Sequence, residues 1–105
     1  MDKDIINKII EFRDERNWKQ FHTPENLVKS ISIESAELLE CFQWNNDFNE
    51  KKVTEELADI LIYCIYLADV LDINIDDIIN YKIDLNNEKY PLDNSKGNSK
   101  KYNKL

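Results

Sequence analysis

Glycine is nearly missing from this chain: Gly97 is the single one in 105 residues, beside two prolines, two cysteines and one histidine. The glycine-rich phosphate loops of P-loop and Rossmann folds need several glycines for close backbone approach, so both chemistries are excluded by count. Sandwiches and barrels, built on many tight turns, fall with them. Cys41 and Cys64 form no Cys-x-x-Cys pair and are too few for a disulfide framework, which predicts two reduced thiols in a cytoplasmic protein. His22 belongs to no Glu-x-x-His motif, and that excludes a di-iron helical bundle. Long apolar runs are missing too. The longest, Ile60 to Ala68, is closed off by Asp59 and Asp69 and falls far short of a membrane span. Met1-Asp2-Lys3-Asp4 has neither the basic region nor the apolar stretch of a signal peptide. No membrane partner is expected.

Acidic charge is abundant. The net charge is −7, but its distribution is uneven: residues 1–90 are strongly acidic, whereas residues 91–105 hold four lysines and a single acid, Asp93. A domain this acidic repels a polyphosphate backbone, so nucleic acid is not expected as a ligand. The length allows one small domain, which buries about 60–65% of the unfolded chain's surface, so a lone copy would be marginal. That predicts association, as a homodimer or homotetramer, with Tyr66, Val70 and Phe48 as candidates to cover a partner.

Periodicity is helical throughout, and no segment alternates with period two for long. Ile5, Ile9 and Phe12 form a stripe on a first helix from about Asp4 to Arg16, with Ile6 and Ile10 beside it. Thr23-Pro24-Glu25 then gives an N-cap, a proline at the first helical position and an acid at the positive helix end. This second helix should run to about Trp44 and close in Asn45-Asn46-Asp47. A third spans about Glu50 to Leu71, with Val53, Leu57, Ile60/Leu61, Cys64, Leu67/Ala68 and Leu71 at three- and four-residue steps. Asn74 caps a fourth, with Asp76 and Asp77 in its first turn, which lasts to about Lys89 before Pro91. The expected fold class is all-α: a four-helix bundle in residues 1–91, followed by a Lys-rich, disordered tail over 92–105.

The chemistry sits on the second and third helices. Glu34 and Glu37 are three apart and face the same way, and Glu34 interrupts the apolar stripe Leu27, Ile31, Leu38, Cys41. Glu56 and Asp59 repeat the spacing on the next helix. Across a bundle these pairs crowd four carboxylates, and one or more pKa values would rise without a counter-charge. A hard divalent cation removes that conflict, and Mg²⁺ suits carboxylate oxygens together with the phosphates of a substrate. Lys82, Asn86 and Lys89 recur at steps of four and three, which forms one helical face fit for phosphate oxygens.

These residues resemble a known family. Glu34-x-x-Glu37 followed by Glu56-x-x-Asp59 is similar to the signature of the MazG-like nucleoside triphosphate pyrophosphohydrolases. The stretch from Phe12 to His22 resembles the E-R-D-W-x-Q-F-H of the dCTP pyrophosphatase branch. Glu37 to Trp44 resembles its E-L-x-E-x-F-Q-W, and Glu55 to Tyr63 its E-E-L-x-D-V-L-I-Y. Lys82-Ile83-Asp84-Leu85-Asn86 and Lys89-Tyr90-Pro91 resemble its closing segment. The match covers about residues 9–91, in order. It departs at Ile33, where the family usually carries glycine, and in a short link between Trp44 and Glu56.

The resemblance implies a Mg²⁺ site, with Mn²⁺ as a substitute, of Glu34, Glu37, Glu56 and Asp59. Glu37 or Glu40 would orient or deprotonate the attacking water. Trp18, His22, Trp44 and Tyr63 would recognise the base, and Lys82, Asn86, Lys89 and Arg16 the phosphates. Arg13 and Arg16 stay open between reaching phosphates and solvated pairing with Asp14 and Glu15. The implied reaction is hydrolysis of a nucleoside triphosphate, dCTP or a related and modified pyrimidine included, to monophosphate and pyrophosphate. A reading of another class is a non-catalytic acidic bundle, either an inactive relative or a mimic of DNA charge. A mimic needs its acids spread over an outer face, whereas these converge.

Overall fold

The computed structural model describes residues 1–44 and 47–97. Among them it contains four long helices and no strand: α1 (Lys3–Glu15), α2 (Pro24–Glu40), α3 (Glu50–Val70) and α4 (Ile75–Lys89), with a one-turn α5 (Leu92–Ser95) and a 3₁₀ turn at Trp18–Phe21. Each long helix begins on a side-chain cap that satisfies an otherwise orphaned amide. Asp2 accepts from the Asp4 amide (2.7 Å), Thr23 from Asn26 (3.1 Å), Asn49 from Lys52 (3.2 Å) and Asn74 from Asp77 (3.0 Å).

With glycine so scarce, other residues must carry the left-handed turns. Asn17 (φ 54°) follows α1 and Asp72 (φ 55°) follows α3. At the α3 terminus the Ile73 amide donates to the Ala68 carbonyl (2.8 Å) and the Asp72 amide to Asp69 (3.1 Å), a Schellman stop built without glycine.

The chain divides into two compact units, Met1–Ile73 and Asn74–Leu105. In the first, α2 packs chiefly on α3. His22, just before α2, meets Tyr66 late in α3, while Glu34, late in α2, meets Glu56 and Asp59 early in α3. The two helices are therefore antiparallel. The α1 helix lies against α3, where the Tyr66 hydroxyl donates to the Ile9 carbonyl (3.1 Å). The second unit holds α4, which ends as the Tyr90 amide donates to Asn86 (2.8 Å), and α5.

Several expectations need correction. The inward stripe of α1 is Ile6, Ile9, Ile10 and Arg13, so Ile5 and Phe12 are left exposed. Arg13 is only 1% exposed, the buried charged residue that solvated pairing did not foresee. The α2 stripe is as expected: Leu27 is buried and Ile31, Glu34, Leu38 and Cys41 are half-buried. That helix stops at Glu40, because the Cys41, Phe42 and Gln43 amides turn back to carbonyls three residues earlier, leaving Trp44 outside it. The Asn45-Asn46 turn lies outside the described residues. Leu57 and Leu61 of α3, and Leu71 just after it, stay exposed, whereas Tyr66 is buried and cannot cover a partner. The tail is not structureless from residue 92, since Leu92–Ser95 forms the turn of α5 after Pro91; residues 98–105 lie outside the described part.

Candidate functional site

Glu34 is carried inward by the α2 stripe, and Glu56 and Asp59 face it from one side of α3. One carboxylate oxygen from each lies within 4.8 Å of the others. Glu34 and Glu56 are half-buried and Asp59 is exposed. Glu34 Oε2 and Glu56 Oε2 are both shielded from solvent and have no hydrogen-bond partner. Burial, then the adjoining carboxyls of Glu56 and Glu37, and then the charges of Glu37 and Asp59, push the Glu34 pKa from 4.5 up to about 7.

Every neighbour that shifts Glu34 is itself an acid. Buried acceptors without donors are costly unless a cation meets them. An all-oxygen, multiply charged donor set is what a hard divalent ion takes. The residues therefore fit such an ion, and Glu34, Glu56 and Asp59 would hold it. Glu37 is half-buried beside Glu34, one turn further along α2, but stands outside the close group of three.

Next to this cluster is a cavity of about 270 Å³ lined by Phe12, Trp18, His22, Asp59, Ile62, Tyr63 and Tyr66. Asp59 belongs to both. Spacing builds the α3 wall, because residues 59, 62, 63 and 66 fall on one helical face. The opposite wall comes from Phe12 near the end of α1, Trp18 of the 3₁₀ turn and His22, two residues before α2. Phe12 meets Trp18 edge-on with centroids 5.7 Å apart, and His22 lies on Tyr66 at 4.9 Å. Burial, then the nearby charge of Arg13, lowers the His22 pKa and favours its neutral form. Its Nδ1 is a further shielded atom without a partner.

Three of the four residues expected around a base, Trp18, His22 and Tyr63, thus share one cavity with Asp59. Trp44 does not line it and is 85% exposed. Arg16 rests on the Phe12 ring at 3.7 Å and near Trp18 at 5.9 Å, at the cavity's edge. Glu40 is exposed at the end of α2. Lys82, Asn86 and Lys89 lie on α4, in the other unit.

Sequence reasoning missed Phe12, Ile62 and Tyr66 as lining residues, and of the ion pairs behind them it weighed Arg13 with Asp14 but missed Asp69. Arg13 Nη1 lies 2.7 Å from Asp69 Oδ2 and Arg13 Nε 2.9 Å from Asp14 Oδ1. The continuation of the Asp59, Ile62, Tyr66 face by Asp69 was a spacing signal that could have revealed it.

The MazG-like family matches residues 29–105. Mouse dCTP pyrophosphatase 1 is 35% identical over 98% of this chain, and the human protein of that name is 34% identical over the same share. The chain spans 66% of the length of each. A crystal structure of a pyrophosphatase from Archaeoglobus fulgidus superposes with a TM-score of 0.76 at 44% identity, covering 85% of this chain and 91% of that one. By sequence and by fold alike, the chain belongs to the MazG-like family.

Proposed function

We propose that this protein is a Mg²⁺-dependent nucleoside triphosphate pyrophosphohydrolase acting on dCTP or a related pyrimidine deoxynucleotide. The observation that carries this reading is the double membership of Asp59, in the carboxylate cluster and in the aromatic cavity. A ligand with a flat ring at one end and a cation-neutralised polyanion at the other suits that adjacency. The relatives named for dCTP and for pyrophosphatase activity support the same substrate class.

The cavity is small for a ligand pocket and suits a single ring with part of its sugar. Trp18, Tyr63 and neutral His22 hold the base by stacking, worth about 1–3 kcal/mol per base. Mg²⁺ or Mn²⁺ bound by Glu34, Glu56 and Asp59 would neutralise phosphate charge and supply a more acidic water. Glu37, beside Glu34, or Glu40 accepts the proton of the attacking water. The water oxygen bonds to phosphorus, the anhydride bond between α- and β-phosphates breaks, and monophosphate and pyrophosphate leave. Lys82, Asn86, Lys89 and Arg16 are assigned to phosphate oxygens by motif alone. The convergence of the acids speaks against a DNA mimic.

We assign the catalytic domain to residues 1–91, working as a homodimer or homotetramer in the cytoplasm. The thin core supports association: among the described residues the buried apolar ones are Leu27, Ile65, Tyr66 and Ala68, while Leu57, Leu61, Ile78 and Ile83 remain exposed. The free thiols Cys41 and Cys64 support the location.

The test is a pyrophosphate-release screen over the common NTPs and dNTPs with Mg²⁺. Pyrophosphate from dCTP ahead of the purine nucleotides is expected. Orthophosphate as the only product, or no turnover with Mg²⁺ or Mn²⁺, would overturn the reading.

A further inference from the structure

Behind the cavity, and not lining it, sits Arg13. Its guanidinium is held on two edges by carboxylates from two helices, Asp14 of α1 at 2.9 Å and Asp69 of α3 at 2.7 Å. The same group lies over the Tyr66 ring, 5.6 Å from its centroid. Tyr66 is 4% exposed, is tied by its hydroxyl to the Ile9 carbonyl, and carries His22 against its ring. Tyr66 and His22 both line the cavity.

Stability alone gives no reason for a charge at this position. Of these ion pairs only the arginine is buried, its partners Asp14 and Asp69 being 52% and 36% exposed, and an apolar side chain of similar volume would fill its place with no charge to desolvate. A planar fork held at two edges does what an apolar chain cannot: it fixes an orientation, and it attracts the ring beneath it.

We propose that Arg13 is a positioning residue for the cavity: clamped by Asp14 and Asp69, it sets the Tyr66 ring, and Tyr66 sets His22 for the nucleobase. The proposal rests on the nucleotide reading above. Arg13 touches no substrate. Its charge also helps to keep His22 neutral, able to accept as well as donate a hydrogen bond.

His22 is the sole histidine, so its ring protons can be read by NMR without ambiguity and without substrate. In the wild-type protein the Tyr66 ring should displace these resonances from free-histidine positions. In Arg13→Met they should return toward them while helical circular dichroism is kept. For dCTP, loss of the cation–ring contact should raise KM about 3- to 30-fold and change kcat by less than about twofold. Arg13→Lys, which keeps the charge but not the fork, should recover part of the loss. Where Arg13→Met does not fold, Asp14→Asn frees one edge of the fork and should move the same readouts less far.

Unchanged His22 resonances and unchanged KM in a folded Arg13→Met protein would overturn the proposal and leave Arg13 a purely structural residue. Failure of the wild-type protein to hydrolyse any nucleotide would instead overturn the functional reading. The His22 resonances, recorded without nucleotide, would still decide what Arg13 holds in place.

Discussion

Glu34 on α2 and Glu56 on α3 each turn one oxygen away from solvent, and neither oxygen meets a donor. Two antiparallel helices thus press their carboxylates together at a point where, among the described residues, the groups that shift Glu34 are acids. That repulsion has measurable consequences.

Removing one negative charge should relieve it. Glu34→Gln and Asp59→Asn are expected to raise the melting temperature of the metal-free protein, by an amount equivalent to about 1 kcal/mol, and to abolish turnover. Thermal melts in EDTA and in Mg²⁺, with pyrophosphate assays on the same samples, check both. The wild type should gain stability from Mg²⁺ and the variants should gain little. Near-wild-type turnover in either variant would show that the cation is held elsewhere.

The pH dependence of the metal-free protein follows from Glu34. Its folded-state pKa, about 7, lies above its ordinary 4.5, so the folded state binds the extra proton between those values. Stability from this group is fully present below 4.5 and is lost as pH rises through about 7. Divalent ions need the ionised form, so Mg²⁺ should stabilise least at acidic pH and increasingly up to and beyond pH 7. Denaturant midpoints across pH, with and without Mg²⁺, test the sign.

The two tryptophans should behave differently. Trp18 lines the cavity, so Trp18→Ala should weaken nucleotide binding about 5- to 150-fold. Trp44 is exposed, and its replacement by alanine should change stability by less than about 0.5 kcal/mol. A loss of binding in Trp44→Ala of the same size as in Trp18→Ala would require an arrangement in which a second element brings Trp44 to the base. Fluorescence titration of both variants, with melts alongside, separates these outcomes.

Asp72 holds a left-handed conformation that costs a non-glycine residue about 1–2 kcal/mol. Glycine removes that cost but gains freedom in the unfolded chain, so Asp72→Gly should stabilise by about 0.5 kcal/mol net. Urea unfolding of the two proteins measures it. A destabilised variant would mean that the Asp72 side chain contributes more than its backbone strain takes away.

Helix starts and the inward face of α2 were legible in the sequence because their causes are local. Thr23 and Asn74 cap amides three residues on, and Glu34 interrupts an apolar stripe whose period is set by helix geometry. The pairing of Glu34 with Glu56 and Asp59 was legible too, since equal spacings on consecutive antiparallel helices can meet. What only the tertiary structure decided lies between segments distant along the chain. Arg13 stayed open between phosphate contact and solvated pairing with Asp14 and Glu15, because its second partner, Asp69, is 56 positions away along the chain. With Arg13 inside, the α1 stripe rotates and leaves Phe12 exposed, beside Trp18 at the cavity. Periodicity shows which residues can share a face; which residues close a cavity depends on how the packed helices present those faces to one another.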